Sequence, residues 1–267
     1  MKGSGHLSKM EVIPESPVGY FLHLDQRYFL NDFIGKQLSL TWNGGIQCVG
    51  CGRQIPKTFG EGFCYPCFQS SPHASPCIIR PELCRAHFGE GRDSEWEERN
   101  HNQPHAVYLT AGDAVKVGVT RKTNLETRWI DQGATRAIVL AETTNRYEAG
   151  LLEVALKDFF SDKTNWQKML RNEKDESIDL VDEKWRVHEE MPSDLACFFS
   201  ENDDITTFEF PVLSYPSKVS SISLEKVRHH EGTLIGIKGQ YLLFSDGSVL
   251  NVRRHTGFHV ELKVLNF

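Results

Sequence analysis

Four cysteines in two closely spaced pairs constrain this chain more than any other feature. Two residues separate Cys48 from Cys51, two separate Cys64 from Cys67, and twelve lie between the pairs. Each pair can form a tight turn that directs two thiolates at one ion, and the residues between the pairs can form a hairpin that closes a tetrahedron. Four thiolates leave no open coordination position, so the spacing predicts a structural zinc site. A Cys-x-x-Cys redox couple is the lesser alternative, since two pairs at this spacing are typical of a zinc ribbon.

Cys77, Cys84 and His87 form a weaker pattern of the same kind. One more ligand would complete a second tetrahedral zinc site, and the candidates are His73, His101 and His105. In the alternative interpretation, Cys77 and Cys84 are small buried side chains and His87 has no metal-binding role. The seventh cysteine, Cys197, is followed by two phenylalanines and is predicted to lie in the core.

Composition narrows the class of protein. The 267 residues can form one large domain or two to three small ones, and a formal net charge of -6 gives no overall attraction to nucleic acid or to an anionic membrane. No apolar run approaches the roughly 20 residues that span a bilayer, and the N-terminus lacks the apolar region of a signal peptide. Cysteines without a secretion signal favour metal binding in a reducing compartment over disulfides. We therefore expect a cytoplasmic protein with no membrane partner.

A hairpin is predicted in the middle of the chain. Two short apolar strands, residues 107–109 and 116–120, flank a turn that contains Gly112 and Asp113. Apolar strands separated by a few residues that include glycine are typical of a β-hairpin.

Two helices and a strand are predicted to follow this hairpin. Thr123 and Glu126 have the spacing of a capping box, which starts a helix, and Gly133 ends that helix. A strand is predicted at residues 137–141, and an apolar stripe at helical spacing predicts a second helix over about residues 146–160.

This order of elements, over residues 106–166, resembles the GIY-YIG endonuclease superfamily. Val-Tyr-Leu around Tyr108 stands where that superfamily has its first tripeptide, and Lys-Val-Gly, starting at Lys116, stands where it has the second. The resemblance makes Tyr108 the first-motif tyrosine, Arg128 the helical arginine and Glu153 the glutamate that holds a divalent cation. Asn165 is a candidate for the late asparagine. The second tyrosine of the superfamily is Lys116 in this sequence.

The resemblance implies cleavage of a phosphodiester with the help of Mg²⁺ or Mn²⁺. Glu153 would bind the ion, and Arg128 would give phosphate a bidentate contact. Tyr108 would position or deprotonate the attacking water, and Lys116 would supply a second cation or a general acid. Two further residues are candidates for orienting that water, Gln132 and His105.

Each of these residues also has a purely structural interpretation. Arg128 and Glu153 could form an ion pair between the two helices, and Glu153 could equally pair with Lys157 one turn away. Tyr108 on a strand is usually packed, with only its hydroxyl in water.

The whole chain is also similar to a bacterial family of unknown function, in which a zinc ribbon precedes a diverged GIY-YIG-like domain. The stretches that carry this similarity are residues 62–68, 81–84, 128–134 and 162–166.

Both ends of the chain are predicted to be β-structure. Residues 37–42 and 258–264 alternate apolar and polar side chains, and Asp246-Gly247 is a hairpin turn signal. The N-terminal strands lack enough partners nearby, so we expect them to join the C-terminal strands in one sheet or small barrel. The predicted fold class is α+β, with a GIY-YIG-like α/β module, an N-terminal zinc ribbon and a β platform formed from both chain ends.

Five segments are predicted. They are N-terminal strands that pair with the C-terminal sheet (1–47), a zinc-binding region (48–100), a GIY-YIG-like domain (101–170), an acidic helical connector (171–209) and a C-terminal β region (210–267). The connector has thirteen acidic and four basic residues, which favours a solvated segment with a helix at about 183–190.

Arg253 and Arg254 are the candidate nucleic-acid-binding residues outside the central module. Residues 218–267 carry seven basic and four acidic side chains, and a basic strand edge could follow a nucleic-acid backbone. The alternative is a charged edge strand that resists aggregation.

The sequence therefore predicts a metal-dependent phosphodiesterase or endonuclease, or a catalytically diverged relative, that acts on DNA or RNA. Its cofactors would be structural zinc and Mg²⁺ or Mn²⁺. One alternative is a non-catalytic zinc-ribbon protein that binds nucleic acid or serves as an adaptor. Another is a nucleic-acid-modifying enzyme with Lys116 as acid or nucleophile. The sequence identifies no protein partner.

Overall fold

A computed structural model describes residues 2–157, 159–160 and 165–265. The strands are β1 (Lys2–His6), β2 (Glu11–Ile13), β3 (Gly19–His23), β4 (Arg27–Phe29), β5 (Gln37–Ile46), β6 (His105–Ala111), β7 (Val115–Arg121), β8 (Arg136–Thr143), β9 (Ile205–Thr207), β10 (Ser220–Ser221), β11 (His229–Lys238), β12 (Tyr241–Phe244), β13 (Ser248–Asn251) and β14 (Phe258–Leu265). The α-helices are α1 (Tyr65–Ser70), α2 (Ser94–Asn100), α3 (Leu125–Asp131), α4 (Arg146–Ala155), α5 (Trp166–Leu170) and α6 (Leu180–Glu189). Short 3-10 helices occur at Leu30–Phe33, Pro72–Ala74, Pro76–Ile78, Pro81–Leu83, Ala86–Phe88, Lys122–Asn124, Ala196–Phe198 and Arg253–His255. The predicted α+β class is confirmed.

The described chain divides into two compact units. The first contains residues 2–69, 130–133 and 208–265. Its main sheet has the strand order β1-β14-β5-β11-β12-β13-β10, and β14 pairs antiparallel with both β1 and β5. The two ends of the chain therefore share one sheet, which confirms the predicted β platform. A smaller sheet has the order β2-β3-β4.

Local sequence explains this sheet. Leu38, Leu40 and Trp42 of β5 point to the core and are at most 9% exposed, as their alternation predicts. The turn between β12 and β13 is closed by Asp246, whose Oδ1 accepts from the backbone N–H of Ser248 at 2.9 Å.

The second unit contains residues 70–129, 134–157, 159–160 and 165–207. Its sheet has the order β7-β6-β8-β9, and each neighbouring pair is antiparallel. The β6–β7 pair is the predicted hairpin, with Tyr108 opposite Gly118 and Thr110 opposite Lys116.

Helix α4 packs on this sheet with its predicted apolar stripe. Ala149, Leu152 and Leu156 are fully buried there. Its N-cap is Asn145, whose side chain accepts from the N–H of Glu148 at 3.0 Å. The helix ends at Ala155, before the predicted end at residue 160, and residue 158 lies outside the described residues.

Two predicted elements differ from the structure. Helix α3 begins at Leu125, one residue later than a capping box with Thr123 as N-cap predicts, because a 3-10 turn precedes it. The predicted C-terminal β region, residues 210–267, does not begin with a regular strand. Pro211 has no N–H for a ladder, and Val212 makes only an isolated bridge with Gly236.

The acidic segment is solvated on its charged side, but one face of α6 is packed against the protein. Leu180, Lys184 and Val187, on one face of α6, are fully buried, because their spacing places them on the inner side of the helix. The ammonium of Lys184 donates to the carbonyl of Asn202 at 2.6 Å and forms an ion pair with Asp203 at 2.9 Å. A helix therefore lies close to the position predicted for the connector, and its inner face is more deeply packed than a solvated segment implies. Cys197, predicted to be core, is exposed.

The sequence predicts no membrane-spanning segment, and the structure can be compared with this prediction. Among the residues that the structure describes, no helix combines the length and the apolar character that crossing a bilayer requires.

Gly150 on α4 gives the first testable prediction. A Cβ at this position would lie 2.2 Å from the backbone nitrogen of Glu82, whereas a Cβ on Gly112 would meet nothing within 4 Å. Overpacking against backbone costs about 1–3 kcal/mol, more than the ~1 kcal/mol that alanine gains over glycine in a helix. We expect Gly150→Ala to lower the free energy of unfolding in urea and Gly112→Ala to leave it nearly unchanged. Equal stability of the two variants would contradict this packing.

Candidate functional site

The first cysteine cluster, called the ribbon site, consists of Cys48, Cys51, Cys64 and Cys67. The four sulfurs lie within 4.8 Å of one another. The first pair lies on a tight turn, in which the N–H of Gly52 donates to the carbonyl of Cys48 at 2.9 Å. The second pair brackets the start of α1. These four side chains form a cluster that could bind a metal such as zinc.

The geometry of the ribbon site fits this ion. A tetrahedral zinc with Zn–S bonds of about 2.3 Å separates its sulfurs by about 3.8 Å. The sulfurs of Cys51 and Cys64 are 3.8 Å apart. The backbone N–H of Cys64 donates to Sγ of Cys48 at 3.1 Å. Burial opposes ionisation of Cys48, but this bond and two more from backbone N–H groups outweigh it and lower its pKa to about 6. The turn thus favours the thiolate that a metal requires.

Arg253 contacts the loop between the two cysteine pairs, residues 52–63, which is called the ribbon loop. Its Nη2 forms an ion pair with Oε1 of Glu61 at 2.6 Å, and its side chain is 34% exposed. A Cβ on Gly62 would lie 3.1 Å from the carbonyl of Thr256, so the loop also approaches this turn closely. Of the two arginines predicted to bind nucleic acid, Arg253 is thus engaged within the protein and Arg254 is exposed.

The structure brings Cys77 and Cys84 together but leaves His87 outside their group. The two cysteines are buried and share a cluster of metal-ligating atoms with Glu97 and with His101, which was one of the candidate fourth ligands. The ring of His87 instead stacks on Tyr147, with centroids 4.6 Å apart.

The two predicted catalytic residues of the hairpin lie on one face of the sheet. Tyr108 and Lys116 are diagonal neighbours across β6 and β7. Tyr108 is only 1% exposed, and its hydroxyl lies 2.6 Å from the position that a Cβ on Gly118 would take. The ammonium of Lys116 pairs with Asp113 at 3.2 Å, and Lys168 pairs with the same carboxylate at 3.4 Å.

Arg128 and Glu153 are brought within electrostatic reach of each other, together with Arg146. These three residues are called the charged cluster. Burial raises the pKa of Glu153, although both arginines favour its charged form. Arg128 forms no ion pair with Glu153, nor with any other residue that the structure describes. The charged cluster therefore places the guanidinium of Arg128 near the partly buried carboxyl of Glu153, and the two groups form no direct ion pair.

Arg146 is fixed by the segment that carries the cysteines. Its Nε donates to the carbonyl of Cys77 at 3.0 Å, and its Nη2 donates to the carbonyl of Ile78 at 2.9 Å. Arg146 and Glu153 lie seven residues apart, so both project from one face of α4. Gly150 lies on the same face and allows the close approach of Glu82.

The remaining candidates have local structural roles. His105 is fully buried, and its Nδ1 lies 2.7 Å from the carbonyl of Gln103. Burial lowers the pKa of His105 to about 4, so it is neutral at pH 7. Asn165 caps α5, and its Oδ1 accepts from the N–H groups of Gln167 and Lys168 at 3.1 and 3.2 Å. Residues 162–164, part of one of the stretches that carry the family resemblance, lie outside the described residues.

Sequence reasoning missed two residues, Arg146 and Glu97. The signal for Arg146 was its place two helical turns before Glu153. The signal for Glu97 was its spacing of four residues from His101, which puts both side chains on one face of a helix.

Comparison with known proteins gives one result. A family model described as "Protein of unknown function (DUF2797)" matches residues 35–260. Neither the curated proteins nor the solved structures contain a match to the chain.

The ribbon site gives the second testable prediction. We expect the double variant Cys48→Ser/Cys51→Ser to lose one bound zinc ion per chain, because half of the thiolate ligands are removed. The exposed Cys197 lies outside both cysteine clusters, so Cys197→Ser is the matched control and should keep its zinc. The measurement is zinc per chain by plasma mass spectrometry. Unchanged zinc in the double variant would contradict the assignment.

Proposed function

We propose that the charged cluster of this protein, which belongs to the DUF2797 family of proteins of unknown function, acts on phosphodiesters of DNA or RNA. The observation that carries this proposal is the guanidinium of Arg128, which interacts electrostatically with the half-buried Glu153 without an ion pair between them. A half-buried carboxyl beside an arginine that forms no ion pair with any described residue suits the binding of phosphate.

Each residue of the charged cluster would have one role. Arg128 would contact two phosphate oxygens, and Arg146, which is held by two backbone carbonyls, would add a fixed positive charge. Glu153 would hold Mg²⁺ or Mn²⁺, which when bound would stabilise charge on the phosphoryl oxygens. A bound cation would also compensate the burial that now raises the pKa of this carboxyl.

The surrounding module supports the resemblance to GIY-YIG endonucleases. A hairpin, a helix with Arg128, a strand and a helix with Glu153 follow one another in the predicted order, and β6 lies between β7 and β8. Tyr108 would be a packing residue in this proposal, since its ring covers Gly118.

The ribbon site would bind structural zinc and support binding of nucleic acid. Arg254, which is exposed beside the turn that contacts the ribbon loop, is the residue that we expect to meet a phosphate backbone.

A non-catalytic nucleic-acid-binding protein is the second candidate. Two observations on the β6–β7 hairpin favour it. Lys116 forms an ion pair with Asp113, and Tyr108 is buried. Two of the four predicted catalytic residues would then contribute no chemistry, and the charged cluster would hold phosphate without cleaving it.

A nuclease assay gives the third testable prediction. Purified protein is offered labelled single-stranded, duplex and branched DNA and structured RNA, with Mg²⁺ or Mn²⁺. We expect cleavage, and we expect Glu153→Gln to reduce its rate about 100-fold or more, because the carboxylate ligand is removed. Glu126→Gln is the matched control, since Glu126 is exposed on α3, and its rate should equal that of the wild type.

Binding separates the two candidates. No cleavage, together with binding that weakens steeply with salt and is lost in Arg128→Ala, would favour the non-catalytic protein. Arg186→Ala on α6 is the control for loss of one positive charge. If the protein neither cleaves nor binds any of these nucleic acids at low salt, both candidate functions are contradicted.

A further inference from the structure

Four buried side chains with metal-ligating atoms converge in the second unit. They are Cys77, Cys84, Glu97 and His101, and none is more than 5% exposed. One ligand atom from each lies within 4.8 Å of all the others. They are called the mixed cluster.

The mixed cluster is built from two separate segments. Cys77 lies on the 3-10 turn Pro76–Ile78, and Cys84 ends the 3-10 turn Pro81–Leu83. Glu97 lies on α2, and His101 follows one turn later as its C-cap. Two ligands from each segment meet at one point, as in metal sites that join otherwise independent pieces of chain.

Distances in the mixed cluster fit zinc. Sγ of Cys77 and Nδ1 of His101 are 3.7 Å apart. Zn–S bonds of about 2.3 Å and Zn–N bonds of about 2.0 Å at a tetrahedral ion would separate these atoms by about 3.6 Å. The same Nδ1 contacts Oε2 of Glu97 directly. Nitrogen and oxygen ligands of one tetrahedral zinc stand about 3.3 Å apart, so a bound ion would take the place of this contact.

Glu97 provides an independent sign of a missing partner. Its side chain is buried, and its Oε1 has no hydrogen-bond partner among the residues that the structure describes. A buried oxygen without a partner costs about 1–3 kcal/mol, and more when the group is charged. A cation at the mixed cluster would remove this cost.

The charge balance also fits a divalent ion. Two thiolates and one carboxylate carry three negative charges, and Zn²⁺ would leave one. Arg146 lowers the electrostatic cost of that remaining charge, because it donates to the carbonyls of Cys77 and Ile78 and interacts electrostatically with both cysteines. Such an outer contact orients a ligand segment and stabilises its negative charge.

The ligand set selects the metal. Thiolates disfavour Mg²⁺ and Ca²⁺, and two sulfurs with one nitrogen and one oxygen suit tetrahedral zinc. A cavity lined in part by Ser75, Cys77, Gly91 and Glu97 adjoins the cluster and would give an ion access to it.

We propose that the mixed cluster is a second zinc site, with Cys77, Cys84, Glu97 and His101 as its four ligands. It is a closed structural site, separate from the ribbon site, that joins the cysteine-bearing turns to α2. The chain therefore binds two zinc ions.

Zinc content tests this proposal in the full-length protein. We expect two zinc ions per chain in the wild type and one in both Cys77→Ser and Glu97→Gln. Glu98→Gln is the control for the adjacent, exposed carboxylate, and His87→Ala is the control for the histidine that stacks on Tyr147. Both controls should retain two. Two ions per chain in Cys77→Ser and Glu97→Gln would overturn the proposal.

X-ray absorption at the zinc edge provides a test that needs no variant. Four sulfurs at the ribbon site and two at the mixed cluster average to three sulfurs per zinc. We expect this value, with one nitrogen or oxygen ligand per zinc on average. One zinc per chain with four sulfurs, or a Cys77–Cys84 disulfide in the purified protein, would overturn the proposal.

Discussion

Convergence of cysteine sulfurs is the interaction on which the segment between β5 and α2 depends. In residues 47–93, the buried apolar side chains are four cysteines, Phe63, Pro81 and Ala86. The segment contains short helices and turns and no strand of its own. So little apolar surface cannot offset the entropy of ordering a segment of this length. Metal ions at the two cysteine clusters would supply the missing free energy, because binding to a site that exists only in the folded chain stabilises that fold.

The position of α4 follows from this segment. Arg146 is held by the carbonyls of Cys77 and Ile78, and Gly150 allows Glu82 to approach the helix backbone. Both residues lie on the face that carries Glu153, so the turns that present Cys77 and Cys84 also set where this carboxyl stands. Metal binding at the mixed cluster would therefore help to position Glu153 for the proposed phosphate chemistry, although the mixed cluster itself takes no part in the reaction.

Sequence predicted most of the local structure and part of the site. Cysteine spacing identified the ribbon site, and alternation predicted the strands that the two chain ends contribute to one sheet. Glu97 was missed because a carboxylate among many on a polar helix has no distinctive pattern until tertiary packing buries it. The burial of α6 was missed because thirteen acidic residues outweighed an apolar face of only a few positions. The roles of Tyr108, Lys116, Arg128 and Glu153 stay predictions.

Hydrogen–deuterium exchange of the full-length protein, with zinc bound and after chelation, tests most directly whether metal holds residues 47–93. We expect the amides of this segment and of α2 to exchange much faster after chelation, since local opening would no longer have to break metal–ligand bonds. The paired strands β5 and β14 should keep their protection, because their ladder and apolar core do not involve the cysteines. Equal exchange of residues 47–93 in the two states would contradict the account.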